Sequence, residues 1–256
     1  MKSDVVQVDG RRVHYRSAGA GPTLVILSGL GLSSDFYRVT LQGLATHGVR
    51  AIAPDLPGFG ASSGRFGGLS IAQASAWSAR FCTTIGVDKA FFLGHAIGCQ
   101  IALRFAADHP HRVLGLVLVG PTGVRRRRLL QQTRALASIV VREGFRVVRT
   151  VAHDYIRTNP GQYLGWWIRA SLDDPLDVAP RIKAPVMVLI GSKDPVPTRE
   201  FVAELMQRLP LAERSEITSG LHALPIEQPA EFNSRVAGFM RRHLGLALPY
   251  KATSLD

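Results

Sequence analysis

The chain has 256 residues, 46% hydrophobic and 20% charged, which is enough to bury a sizeable core as one large domain or two small ones. No apolar run reaches the roughly 18–20 residues that cross a bilayer. The formal charge of +12 is the one unusual bulk property, and Arg125 to Arg128 form a run of four. Such a run can attract nucleic acid, an acidic membrane surface or an anionic substrate, and a solvated helix face is the favoured reading. No nucleic-acid-binding motif accompanies it, so nucleic acid is not expected as a partner. Cys82 and Cys99 make no disulfide framework and their spacing suits no metal, so no metal or organic cofactor is implied. The first ten residues lack the apolar core of a signal peptide, and a cytoplasmic protein is expected.

In chain order, Val5–Val8 and Arg12–Arg16 alternate in the manner of strands around an Asp9-Gly10 turn. Fully apolar runs follow at Thr23–Leu27, Val49–Ala53, Ala90–Leu93, Val113–Val119 and Pro185–Ile190, the pattern of parallel strands buried on both faces. Helical periodicity separates them at Ser33–His47, Ile71–Ile85 and Gly98–Asp108. Strands alternating with helices predict βαβ units and a mostly parallel sheet.

From about Gly123 to Pro180 the rhythm changes. Apolar residues recur with helical spacing (Leu129, Leu130, Leu136, Ile139, Val140, Phe145, Val147, Val148, Val151, Tyr155, Ile156) and no apolar strand intervenes. The stretch holds ten arginines against five acids. Helices inserted between two core strands predict a cap over the carboxyl edge of the sheet, where open α/β sheets bind ligands. Tyr155, Tyr163, Trp166 and Trp167 are candidate pocket-wall residues, and aromatic packing of the cap onto the core explains each of them equally well.

Residues 92–99 read Phe-Leu-Gly-His-Ala-Ile-Gly-Cys, between an apolar strand and a helical pattern. This is the frame of a nucleophile elbow, strand, Gly-X-nucleophile-X-Gly, helix, in which a sharp turn lifts one side chain above the sheet. At its apex stands Ala96, whose methyl group cannot attack a carbonyl. Three further segments share the frame's logic. Ser28-Gly29-Leu30-Gly31 ends a strand in a glycine-rich turn able to aim a backbone N–H at a developing oxyanion. Asp194 follows the Val188–Gly191 strand, and His222 lies in a loop after the strand-like Arg214–Thr218, 28 residues beyond the acid. The other seven histidines lack such a context, and His95 is expected to support the elbow.

In this order of nucleophile position, acid and histidine, and in Asp55-Leu56-Pro57-Gly58-Phe59-Gly60 and Glu227-Gln228-Pro229, the sequence resembles the α/β-hydrolase superfamily along essentially its whole length. The resemblance implies a mostly parallel sheet of the eight-stranded type flanked by helices. Residues 1–122 and 181–256 would form the core and 123–180 the helical cap. It further implies His222 as general base, Asp194 as its orienting acid, and the N–H groups of Leu30 and Ile97 as oxyanion donors. Ser28 departs from the family, which usually carries histidine there. It sits at a strand end and not at an apex, which counts against it as a substitute nucleophile and leaves it as a candidate pocket residue.

Three readings of Ala96 stay open. A serine has been exchanged for alanine in an otherwise intact hydrolase of esters, lactones or thioesters. An aspartate has been lost there, as would suit a relative of haloalkane dehalogenases or epoxide hydrolases. Or the alanine is natural, in a ligand-binding or regulatory relative. The first is favoured because Asp194 and His222 persist, although neither has work without a nucleophile. The expected partner is a small acyl compound, anionic or carrier-linked to suit the basic cap.

Overall fold

A computed structural model describes residues 1–64, 68–123, 149, 152, 154–156, 158 and 160–244. The strands are β1 (Lys2–Val8), β2 (Arg11–Ala18), β3 (Thr23–Leu27), β4 (Arg50–Pro54), β5 (Ala90–His95), β6 (Val113–Val119), β7 (Val186–Gly191) and β8 (Ala212–Ile217). They form one sheet in the order β1-β2-β4-β3-β5-β6-β7-β8. The pairs β1–β2 and β2–β4 are antiparallel and all others parallel. The apolar runs of the sequence therefore lie where a strand has helices on both sides.

Alternation along β3 shows how the two layers form. Val25 and Leu27 pack with α2 (Ile71–Thr84) and α3 (Ile97–Asp108) in one apolar cluster. Leu24 and Ile26 pack with α1 (Arg38–Thr46) and the helix Pro229–Leu244 in the other. Each strand residue thus buries its side chain in one of two cores, worth about 1.5–3 kcal/mol per large aliphatic side chain. Ser70 starts α2 with a reciprocal capping box, its hydroxyl accepting from the Gln73 N–H while the Gln73 side chain accepts from the Ser70 N–H.

Helix α1 is shorter than the periodicity of Ser33–His47 predicts. Residues 33–37 form successive turns instead, with Phe36 N–H on Ser33 O and Tyr37 N–H on Ser34 O, both at 3.2 Å. The N–H of Ser33 donates to Asp154 at 2.8 Å and that of Ser34 to Asp55 at 2.6 Å, so two acids hold the turns ahead of the helix.

Between β6 and β7 lies α4 (Pro160–Ser171), inside the segment expected to form a cap. Gln162 Nε2 and Trp166 Nε1 both donate to the Pro57 carbonyl, at 3.3 and 3.2 Å, and the Trp166 ring lies 5.5 Å from Phe59. Trp166 is 0% exposed, so it has no surface left for a pocket wall, and its role is the docking of α4 onto the loop after β4. The Arg125–Arg128 run and the apolar positions from Leu129 to Val151 fall outside the described residues. Among those described, no helix is long and apolar enough to cross a membrane.

Candidate active site

The elbow is built as its glycines predict. Strand β5 ends at His95 and α3 begins at Ile97, leaving Ala96 alone at the turn with φ 51° and ψ −114°. An alanine in this region costs about 1–3 kcal/mol and persists only where its surroundings enforce it. Its N–H donates to Val119 O at 2.9 Å, and its own carbonyl accepts from Cys99 N–H at 3.0 Å. Gly94 and Gly98 must lack side chains, because a Cβ on Gly94 would strike the Cys99 backbone and one on Gly98 the carbonyls of Leu27 and Ser28. The tight turn is therefore present although no nucleophile occupies it.

The acid and the histidine meet at the same end of the sheet. Asp194 follows β7, and its Oδ2 lies 2.8 Å from His222 Nδ1. Its other oxygen accepts from the Val196 N–H at 2.9 Å, and the carboxylate side chain is 1% exposed. Because a carboxylate only accepts, His222 carries a proton on Nδ1. Gly120, the residue after β6, makes room for the pair. Its φ is 51°, and a Cβ there would come within 2.9 Å of His222 Cε1 and Nδ1 and 3.0 Å of Asp194 Oδ2. Since Val119 binds the Ala96 N–H, the end of β6 brings apex, acid and base to one place.

The Ser28–Gly31 turn completes the group. A Cβ on Gly29 would lie 3.7 Å from that of Ala96, so this turn borders the apex directly. Ile97 opens a helix, where the first N–H groups have no intrahelical acceptor. Above the turn lie Tyr155 and Tyr163, ring centroids 5.3 Å apart, both within 3.2 Å of where a Gly31 Cβ would be. The Tyr155 hydroxyl donates to the Leu30 carbonyl at 3.4 Å. The structure brings these two tyrosines to the site and leaves Trp166 away from it. Trp167 is half-buried on α4, and no contact among the described residues places it at the apex. Ser28 is buried, its hydroxyl without a hydrogen-bond partner among the described residues.

Sequence reasoning expected His95 to support the elbow but missed the partners through which it ties these parts together. Tyr37 donates from its hydroxyl to His95 Nδ1 at 3.0 Å and accepts from the Gly29 N–H at 3.4 Å. His95 Nε2–H in turn donates to the His222 carbonyl at 3.1 Å. One buried chain therefore runs from the Ser28–Gly31 turn through the residue beside the apex to the backbone of the histidine. Burial, with His222 nearby, pushes the pKa of His95 down to about 3, and burial pushes the Tyr37 phenol up, so both remain neutral. Asp154 anchors the segment before α4 by accepting from both the N–H and the hydroxyl of Ser33. Burial raises its pKa, against those two hydrogen bonds. Glu227 holds the histidine loop by accepting from the Leu221 N–H at 2.8 Å. Tyr37 carried no sequence signal, whereas Gly120 is visible in retrospect as a glycine closing an apolar strand.

Comparison with known proteins agrees with this architecture. A family model described as the α/β-hydrolase fold matches residues 22–151. Pyrrolizixenacetamide deacetylase of Xenorhabdus hominickii is 25% identical over 92% of this chain and 97% of its own length. The magnesium-chelatase 30 kDa subunit of Rhodobacter capsulatus is 27% identical over 78% of this chain and 80% of its own. Two other curated relatives are 39% and 35% identical, but the chain spans only 31% and 41% of their lengths. Among solved structures, the enol-lactonase of Burkholderia xenovorans LB400 superimposes with a TM-score of 0.78 at 22% identity, over 93% of this chain and 100% of that one. With its motif order, its sheet and its elbow, the chain belongs to the α/β-hydrolase family.

Proposed function

We propose that this chain has the scaffold of a serine hydrolase for carboxylic esters, lactones or thioesters, and that with alanine at position 96 it binds an acyl compound and barely turns it over. The observation that carries the reading is the retained strain at Ala96 beside an intact Asp194–His222 pair. A buried carboxylate with two hydrogen bonds and an imidazole in a fixed tautomer are what a serine at the apex would use. Its Oγ would attack the carbonyl carbon while His222 Nε2 took its proton, and the N–H groups of Leu30 and Ile97 would receive the oxyanion. His222 would then return the proton to the leaving alcohol or thiol, and a water activated by the same imidazole would release the acid. Removal of the nucleophile from such a unit costs about 10⁶ in rate.

We assign Tyr155 and Tyr163 to the wall above the acyl group and residues 123–180 to a cap. The ten arginines of that segment favour an anionic or carrier-linked acyl partner. Deacetylation by one relative and lactone opening by one structural neighbour, as their names have it, lie within this reaction class. The relative named as a subunit of magnesium chelatase favours a second reading, a natural ligand-binding or regulatory protein in which Ala96 is native.

One substitution separates the two. Ala96→Ser, assayed on activated esters of several acyl lengths, is expected to raise turnover by three orders of magnitude or more over the present chain. A restored protein that hydrolyses none of them, yet binds a small acyl compound as tightly as before, would leave the second reading standing.

A further inference from the structure

A serine and a histidine of the N-terminal hairpin also meet an aspartate from the loop after β4. Ser3 Oγ lies 2.9 Å from His14 Nε2, and His14 Nδ1 lies 2.8 Å from Asp55 Oδ2. The pairing of β1 with β2 sets this up. Ser3 stands opposite Arg16 and Val5 opposite His14, so Ser3, His14 and Arg16 share one face of the hairpin.

The three residues are not equally exposed. Asp55 is 1% exposed, His14 is 9% exposed and Ser3 is on the surface. Asp55 also accepts from the Ala61 N–H at 2.8 Å and the Ser34 N–H at 2.6 Å. Burial alone would raise its pKa, but these hydrogen bonds and that from His14 outweigh it and hold the carboxyl below its usual range. An ionised carboxylate accepts only, so His14 carries its proton on Nδ1 and presents the Nε2 lone pair to the Ser3 hydroxyl. The backbone beneath the ring is fixed as well, since the His14 N–H donates to Ser62 Oγ and its carbonyl accepts from the Asp55 N–H, both at 2.9 Å. Arg16 adds a cation on the same face. Its Nη2 pairs with Asp35 at 2.8 Å, while its buried Nε has no hydrogen-bond partner among the described residues.

We propose that Ser3 is a nucleophile in its own right, activated by His14 and Asp55, and that it takes an acyl or phosphonyl group from activated esters independently of the elbow. In the acyl case the Ser3 Oγ–carbon bond forms and the ester C–O bond breaks. His14 Nε2 accepts the hydroxyl proton and passes it to the departing alkoxide. With a fluorophosphonate, an O–P bond replaces P–F and the fluoride leaves, the proton going through His14 to solvent. Ser3 lies within a strand and not at an elbow, so the adduct forms slowly and is stable, and the activity is single-turnover.

The alanine at 96 makes the chain its own control, because the elbow has no hydroxyl to react. A fluorophosphonate is incubated with the folded protein, and the adduct is followed by intact mass and located by peptide mapping. The expected result is one adduct on Ser3, absent from Ser3→Ala and formed about a hundredfold more slowly in His14→Gln. If His14→Gln does not fold, the urea-unfolded parent chain serves instead, and it should label no faster than that variant's expected rate. An absence of adduct on Ser3, or one formed at the same rate in folded His14→Gln or in the unfolded chain, overturns the proposal. None of these outcomes depends on whether Ala96→Ser hydrolyses esters.

Discussion

Two histidines in this chain are each held by a buried aspartate at 2.8 Å, in opposite circumstances. His222 stands, with Asp194, at the end of β6 that also binds the N–H of Ala96 at the elbow. A strained turn, glycines that clear space, a second glycine-rich turn and two tyrosines surround it, and the apex is a methyl group. His14 has a serine hydroxyl at 2.9 Å but lies on a plain antiparallel hairpin. The difference shows that a hydrogen-bonded Ser-His-Asp relay needs only three side chains in line, here two from a hairpin and one from the loop after β4. The frame around it, which fixes where a carbonyl and its developing charge can sit, is the harder part to build and the better evidence of a site.

The comparison can be broken most severely at His222. With serine restored at 96, His222→Ala is expected to lower kcat/KM by about 10⁴ or more, because the base that activates the nucleophile is gone. Ser3→Ala in the same background should leave kcat/KM within about threefold, since the hairpin serves no step at the elbow. Full activity in the His222→Ala protein would remove the base assignment.

A smaller effect probes the buried chain behind the apex. Tyr37→Phe deletes the hydroxyl that serves both Gly29 and His95, leaving two buried polar groups unpaired. Urea unfolding should show a loss of about 1–3 kcal/mol. An unchanged midpoint would mean that the Tyr37–His95 link contributes nothing to holding the turn and the histidine loop together.

The smallest effect concerns the strain at the apex. Ala96→Gly relieves a left-handed backbone, offset in part by the greater freedom of glycine in the unfolded chain. A net gain of about 1 kcal/mol corresponds to a Tm higher by about 2–4 °C for a protein of this size. A lower Tm would say that Ala96 rests comfortably where it is.

Much of the architecture was legible from short-range pattern. Five apolar runs became five parallel strands, because a strand buried on both faces must be apolar at every position. Chain order placed Asp194 and His222, since the loops after β7 and β8 open on the same sheet edge as the elbow. The parts that stayed hidden depend on long-range partners. The turns ahead of α1 are tied by Asp154, far along the chain, which accepts from the N–H of Ser33. Trp166 looked the same as Tyr155 and Tyr163 in sequence, and only the Pro57 carbonyl and Phe59 assign it to docking. His14 has no local motif around it, because its acid is 41 residues away and its serine is on the preceding strand.

The most direct measurement of the central claim is covalent trapping at position 96. The double variant Ser3→Ala and Ala96→Ser, which lacks the hairpin hydroxyl, is quenched in acid during turnover of an activated ester and mapped by mass spectrometry. An acyl group on residue 96, lost when His222→Ala is added, is the predicted result. Ester turnover with no acyl group on residue 96, or no turnover at all, would contradict the reading of this elbow as the seat of a serine hydrolase.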